Sequence, residues 1–167
     1  MKVLVTGGAG YIGSFMVKKL LEENHEVIVV DSLERGHKET LDSRAKFIQG
    51  DLLDKTFISN VFKENTKVDS VMHFGAYIAV EESMQNPGMY FKNNVFSTIN
   101  RLEAMHENNE SNFIFSSTGP VHGTPHQLPI PETNPTSPQK PYANSKLIVE
   151  KIRHWYFHTY QRRCTHL

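Results

Sequence analysis

The sequence predicts an α/β fold built on a doubly wound parallel sheet. Three observations carry that expectation: short apolar runs alternate with stretches of helical periodicity, the first run breaks into TGGAGYIG at residues 6–13, and the second ends on Asp31.

The elements follow in order. Val3, Leu4 and Val5 form the first strand, and Ile12, Phe15, Met16, Leu20 and Leu21 recur at helical spacing after the glycines. Residues 27–30 make the second strand, and residues 46–49 the third. Residues 56–64 read as a helix, and residues 70–74 as a further apolar strand ending in a turn. A long helix is expected over residues 89–107, with Val95, Ile99, Leu102 and Met105 on one face, followed by a strand at 113–115. Parallel neighbours require right-handed crossovers, which gives the order 3-2-1-4-5, helices on both faces and a ligand at the carboxyl ends of the strands. Residues 120–141 hold seven of the eight prolines and read as a long irregular loop serving function. Pro141 then opens a helix through Ile148, Val149 and Ile152 toward Tyr156. Residues 163–167 look like the opening of a sixth strand that does not continue. The expectation is therefore an unpaired sheet edge and poor cover for Ile152 and Trp155.

Composition removes several classes of function. The 167 residues suit one domain, and 38% hydrophobic content suits a packed core. Lys plus Arg and Asp plus Glu each number 18, so no basic field recruits nucleic acid or an anionic membrane, and a small molecule is the expected partner. No run is long enough to span a bilayer, and Met1 and Lys2 lead straight into a strand without a signal segment, so a cytoplasmic protein is expected. The single cysteine, Cys164, lies away from every motif, and the nine histidines form no metal-ligand spacing; no metal is expected.

The glycines have a mechanical purpose. Gly7 permits the sharp turn out of the strand, Gly10 the approach of backbone amides to a pyrophosphate, and Gly13 close packing of the helix on the sheet. The helix N-terminus then favours an anion. Asp31 stands where a carboxylate accepts hydrogen bonds from both ribose hydroxyls and repels a 2′-phosphate, which favours NAD over NADP. The alternatives are that Asp31 only caps its loop, or that Arg35 folds back to a 2′-phosphate. Tyr142 and Lys146, four residues apart, project from one helix face. An adjacent ammonium stabilises a phenolate, which makes Tyr142 a candidate general base.

With TGGAGYIG, Asp31 followed by Ser32 and Leu33, GDLLD at 50–54, HFGAYIAVEES at 73–83, NNV at 93–95, FSST at 115–118 and PYANSK at 141–146, the chain resembles the extended short-chain dehydrogenase/reductase family along its whole length. It is most similar to the nucleotide-sugar 4-epimerases within that family. The resemblance implies a Rossmann-type NAD-binding domain over residues 1–167 and a substrate-binding part outside this chain. It implies that Gly7, Gly10, Tyr11, Ile12, Gly13, Asp31, Ser32 and Leu33 bind NAD. Asp51 and Leu52 would flank the adenine, Phe74, Gly75, Ala76 and Ile78 the cofactor's middle, and Asn93, Tyr142 and Lys146 the nicotinamide side. The implied catalytic set is Thr118, Tyr142 and Lys146. Tyr142 would take the C4 hydroxyl proton of a UDP-hexose while hydride passes to NAD and returns on the other face, Thr118 would relay a hydrogen bond, and Lys146 would hold the ribose. A homodimer and a place in galactose metabolism are further implications.

Related dehydratases carry an acidic pair after the triad hydroxyl, whereas Gly119 and Pro120 stand here and transfer no proton, so dehydration is the second reading. A cofactor-binding chain without turnover is the third. Further departures from the family pattern are His122 in place of a tyrosine, Ile78 where some members have lysine, and Glu81 in place of a glycine. Glu81 is expected to bring a negative charge near the phosphate region.

Overall fold

Strands buried on both faces read as unbroken apolar runs, and Val3, Leu4 and Val5 with residues 27–30 behave so. The computed structural model describes residues 1–110, 112–125, 127–160 and 163–166. In it, strands β1 (Lys2–Thr6), β2 (Glu26–Asp31), β3 (Lys46–Gln49), β4 (Ser70–His73), β5 (Asn112–Phe115) and β6 (Arg163–His166) form one sheet in the order β3-β2-β1-β4-β5-β6. Every neighbouring pair is parallel. The expected order 3-2-1-4-5 holds. The expected opening of a sixth strand is present: β6 pairs with β5 from Asn112–Arg163 to Phe115–His166, so the edge of β5 is covered and β6 becomes the rim.

Alternation along the strands divides the core in two. Leu4, Ile28, Val30, Val71, Phe113 and Phe115 meet Ile58 and Phe62 of helix α2 (Lys55–Glu64), Leu102 and Met105 of α5 (Ser97–Glu107), and Val149 of α6 (Pro141–Tyr160). On the opposite face Val3, Val5, Val27 and Val29 meet Val17, Leu20 and Leu21 of α1 (Tyr11–Glu22). The first turn of α1 behaves differently from its periodicity. Ile12 and Phe15 are 58% and 64% exposed, because that turn stands over the carboxyl ends of the strands instead of against the sheet.

The long helix expected at 89–107 begins earlier and is not uniform. After α3 (Val80–Gln85), Pro87 opens α4 (Pro87–Phe91), and a π-helical turn at Lys92–Phe96 joins it to α5. Pro87 suits a first helical position, where its missing N–H costs nothing. The proline-rich loop is tied back on itself: the Ser137 amide donates to Val121 at 2.9 Å, and His122 Nδ1 donates to the Asn134 carbonyl at 3.0 Å. Ile152 packs against the core, while Trp155 is 64% exposed. Among the described residues no helix is long and apolar enough to cross a membrane, and no group of three or more acidic, His or Cys side chains is arranged to hold a metal.

Candidate active site

A cavity of about 790 Å³ opens at the carboxyl ends of the central strands, where a doubly wound sheet places its ligands. Its floor is the glycine turn. Gly7 has φ +73°, and a Cβ there would run into the backbone at Gly75; a Cβ at Gly13 would run into the Gly7 carbonyl oxygen. The first lets the β1–α1 turn lie against the loop after β4, and the second lets the start of α1 fold tightly back on that turn. Helix α1 starts at Gly10 with no side-chain cap and no acid in its first turn, an arrangement open to an anion.

Asp31 is 8% exposed at the end of β2. Its Oδ2 accepts from the Ala9 amide at 3.0 Å and its Oδ1 from the Leu33 amide at 2.9 Å. A carboxylate has about four lone-pair sites, so the carboxylate is oriented by the backbone and retains acceptor capacity toward the cavity. The loop after β2 is fastened to the glycine turn by the His37 amide, which donates to Ala9 at 3.0 Å. Asp51 and Leu52 line the next stretch of wall, held by Asn100 Nδ2, which donates to the carbonyls of Leu52 and Leu53 at 3.2 and 2.9 Å.

At the far end Tyr142 and Lys146 rise from the first turns of α6. Tyr142 is 8% exposed, packs edge-on to Tyr90, and donates its amide to Ser83 Oγ at 3.2 Å. Lys146 is 3% exposed; Nζ donates to the Ser116 carbonyl at 2.8 Å and stands 4.8 Å over the Phe115 ring. Burial, assisted by the positive charge of Arg101, pushes its pKa down to about 8. His73 lies beneath, fully buried, and burial with the same positive surroundings holds it well below its ordinary value. Its hydrogen bonds agree with a neutral ring. Thr98 Oγ1 gives its proton to the Asn94 carbonyl, so Nε2–H donates to it, and Nδ1 accepts from Thr6 Oγ1 at 2.6 Å.

Of the residues singled out from sequence, Gly7, Gly10, Tyr11, Ile12, Gly13, Asp31, Ser32, Asp51, Leu52, Phe74, Gly75, Ala76, Ile78, Asn93, Thr118, Tyr142 and Lys146 line this single cavity. Leu33 does not; it adopts φ 61° and serves through its amide on Asp31. Glu81 also departs from expectation. It is paired with Lys140 at 2.6 Å and takes no part in the lining, so no extra charge faces the site from it. Sequence reading passed over Asn94. Its side chain accepts from the Tyr77 amide at 2.8 Å and donates to the Tyr77 carbonyl at 3.1 Å and to Ser145 Oγ at 3.0 Å, which ties the loop after β4 to α6. It stood in the NNV motif beside Asn93, and only the three-dimensional partners separate the two roles. Ser117 is likewise engaged, donating to Glu150.

Comparison with known proteins gives the same frame. The family described as GDP-mannose 4,6 dehydratase matches residues 4–167. A curated UDP-glucose 4-epimerase of Streptococcus mutans is 51% identical over 156 residues, covering 93% of this chain and 47% of the relative. Two solved structures superpose closely. UDP-glucose 4-epimerase from Brucella ovis in complex with NAD has a TM-score of 0.95 at 35% identity, over 99% of this chain and 50% of that one. The Thermotoga maritima UDP-glucose 4-epimerase with UDP-glucose has a TM-score of 0.95 at 34% identity, over 99% and 54%. The chain spans about half the length of the curated relatives it matches. On this sequence match and shared architecture, the chain belongs to the GDP-mannose 4,6 dehydratase family of extended short-chain dehydrogenases/reductases.

Proposed function

We propose that this chain is the NAD-binding half of a UDP-glucose 4-epimerase-type isomerase. The observation that carries the proposal is that Tyr142 and Lys146 share one cavity with the glycine turn and Asp31. The cavity suits the cofactor: the N-terminus of α1, uncapped by any side chain, opens onto it at Gly10, and Asp31 keeps lone pairs for ribose hydroxyls. The complex of the Brucella ovis relative with NAD supports the same choice.

When bound, NAD would supply a reversible hydride acceptor. The remaining chemistry belongs to the chain. Tyr142 takes the proton of a sugar hydroxyl as general base, and Lys146, one helical turn further on and lining the same cavity, holds the ribose. Thr118, at the cavity wall, supplies a hydroxyl for relaying that proton. A UDP-hexose is the proposed substrate, a second copy of the chain the proposed protein partner, and the cytoplasm the proposed setting.

Remote contacts orient a substrate, and the chain covers 47% of its Streptococcus mutans relative. The half-length chain is therefore expected to bind NAD without turning over UDP-galactose. Joining it to the remaining part of that relative tests the proposal. Conversion of UDP-galactose to UDP-glucose that depends on Tyr142 supports it; water loss from the sugar supports dehydration, and NAD binding without any sugar chemistry supports a non-catalytic cofactor-binding chain.

A further inference from the structure

Arg35 lies in the loop after β2 and lines the same cavity as Asp31. A guanidinium in that place has the fork geometry that grips a phosphate with two hydrogen bonds. In the structure the fork is already engaged. Nη1 and Nη2 donate to the two carboxylate oxygens of Glu82 on α3 at 2.8 and 3.0 Å. The guanidinium carbon stands 4.0 Å above the Tyr77 ring. Each partner is held again from outside the pair. Tyr77 donates its hydroxyl to Glu34 at 2.8 Å, and Tyr90 donates its own to Glu82 at 2.6 Å. Arg35 and then Tyr90 keep the Glu82 carboxyl below its ordinary pKa, so the pair stays ionised through the neutral range.

We propose that Glu82 is a specificity-determining residue for the dinucleotide. By occupying the Arg35 fork it withholds the cation that a 2′-phosphate would need, so two carboxylates exclude NADP, Asp31 by repulsion and Glu82 by sequestering Arg35. The proposal rests on the NAD reading of the cavity. Glu82→Gln keeps the shape of the side chain and removes the charge that makes the bidentate bond strong. Released, Arg35 is free to turn toward a phosphate bound beside Asp31.

Calorimetric titration with NAD and NADP of the unmodified chain, Glu82→Gln, Arg35→Ala and the double variant tests the idea. Expected is a gain in NADP affinity of about five- to tenfold in Glu82→Gln, NAD affinity within about twofold of the unmodified chain, and loss of the gain in the double variant. Arg35→Ala alone removes the cation and is expected to bring no gain in NADP affinity. An unchanged NADP affinity in Glu82→Gln, a gain that survives in the double variant, or a gain in NADP affinity in Arg35→Ala overturns the proposal while NAD binding by the unmodified chain keeps the cavity reading intact. Failure of the unmodified chain to bind NAD overturns that reading, and this proposal with it.

Discussion

Arg101 burdens this fold. Its side chain is fully buried, and its three guanidinium nitrogens find no hydrogen-bond partner among the described residues; the closest compensation is the Phe113 ring, 5.3 Å away. Burial pushes its pKa down to about 9, which still leaves it charged at neutral pH. An unpaired buried charge costs several kcal/mol, of which a ring face returns about 1–2. Arg101→Met is therefore expected to stabilise the chain by about 1–4 kcal/mol in urea or thermal unfolding; an unchanged or lower midpoint contradicts the account. Lys146 gives a prediction of opposite signs. Its folded pKa of about 8 lies below the ordinary 10.5, so between those values the unfolded chain binds more protons and stability rises with pH. Over the same window the ammonium is lost, and NAD affinity is expected to fall. Parallel rises in both, measured by urea titration and calorimetry at stepped pH, contradict a ribose-binding role for Lys146. Tyr142→Phe, in the joined protein, is expected to lower turnover at least about a hundredfold with little change in NAD affinity, since only proton transfer is removed.

Among the elements, the ones visible in sequence are the unbroken apolar runs and the helix faces whose burial repeats with a period. The runs at 3–5 and 27–30 and the helical face of Val95, Leu102 and Met105 needed nothing beyond their own spacing. Strand β6, Arg163–His166, has no alternating pattern; its opening was readable in sequence, and its place in the sheet comes from pairing with the free edge of β5. Ile12 and Phe15 show the converse: periodicity defines a helix face, but here that face looks onto a cavity. The π turn at Lys92–Phe96 leaves no trace in composition, and its Asn94 acts through partners as distant as Ser145. Element ends are testable as well. Asp54 caps α2 by accepting from the Phe57 amide at 2.9 Å, so Asp54→Ala is expected to cost about 1 kcal/mol of stability, measured by urea unfolding; no loss would mean that water replaces the cap at no cost.

For the whole molecule, most of the site was legible because the fold's own logic gathers strand ends. The glycine turn, Asp31, Asp51, Phe74, Thr118 and the start of α6 all lie at carboxyl ends of parallel strands or just beyond them, so correct strand order alone brings them to one cavity. The polar ties across it were not legible. Arg35 to Glu82 spans 47 positions and Tyr77 to Glu34 spans 43, and no local pattern encodes such pairs. On the proposed function, this half-length chain already holds a dinucleotide site, with Asp31 reading the ribose. Calorimetric titration of the chain and of Asp31→Ala with NAD tests it most directly. Saturable binding at one site, lost or at least about tenfold weaker in Asp31→Ala, is the predicted result; no heat of binding to the unmodified chain, or equal affinity in the variant, would contradict it.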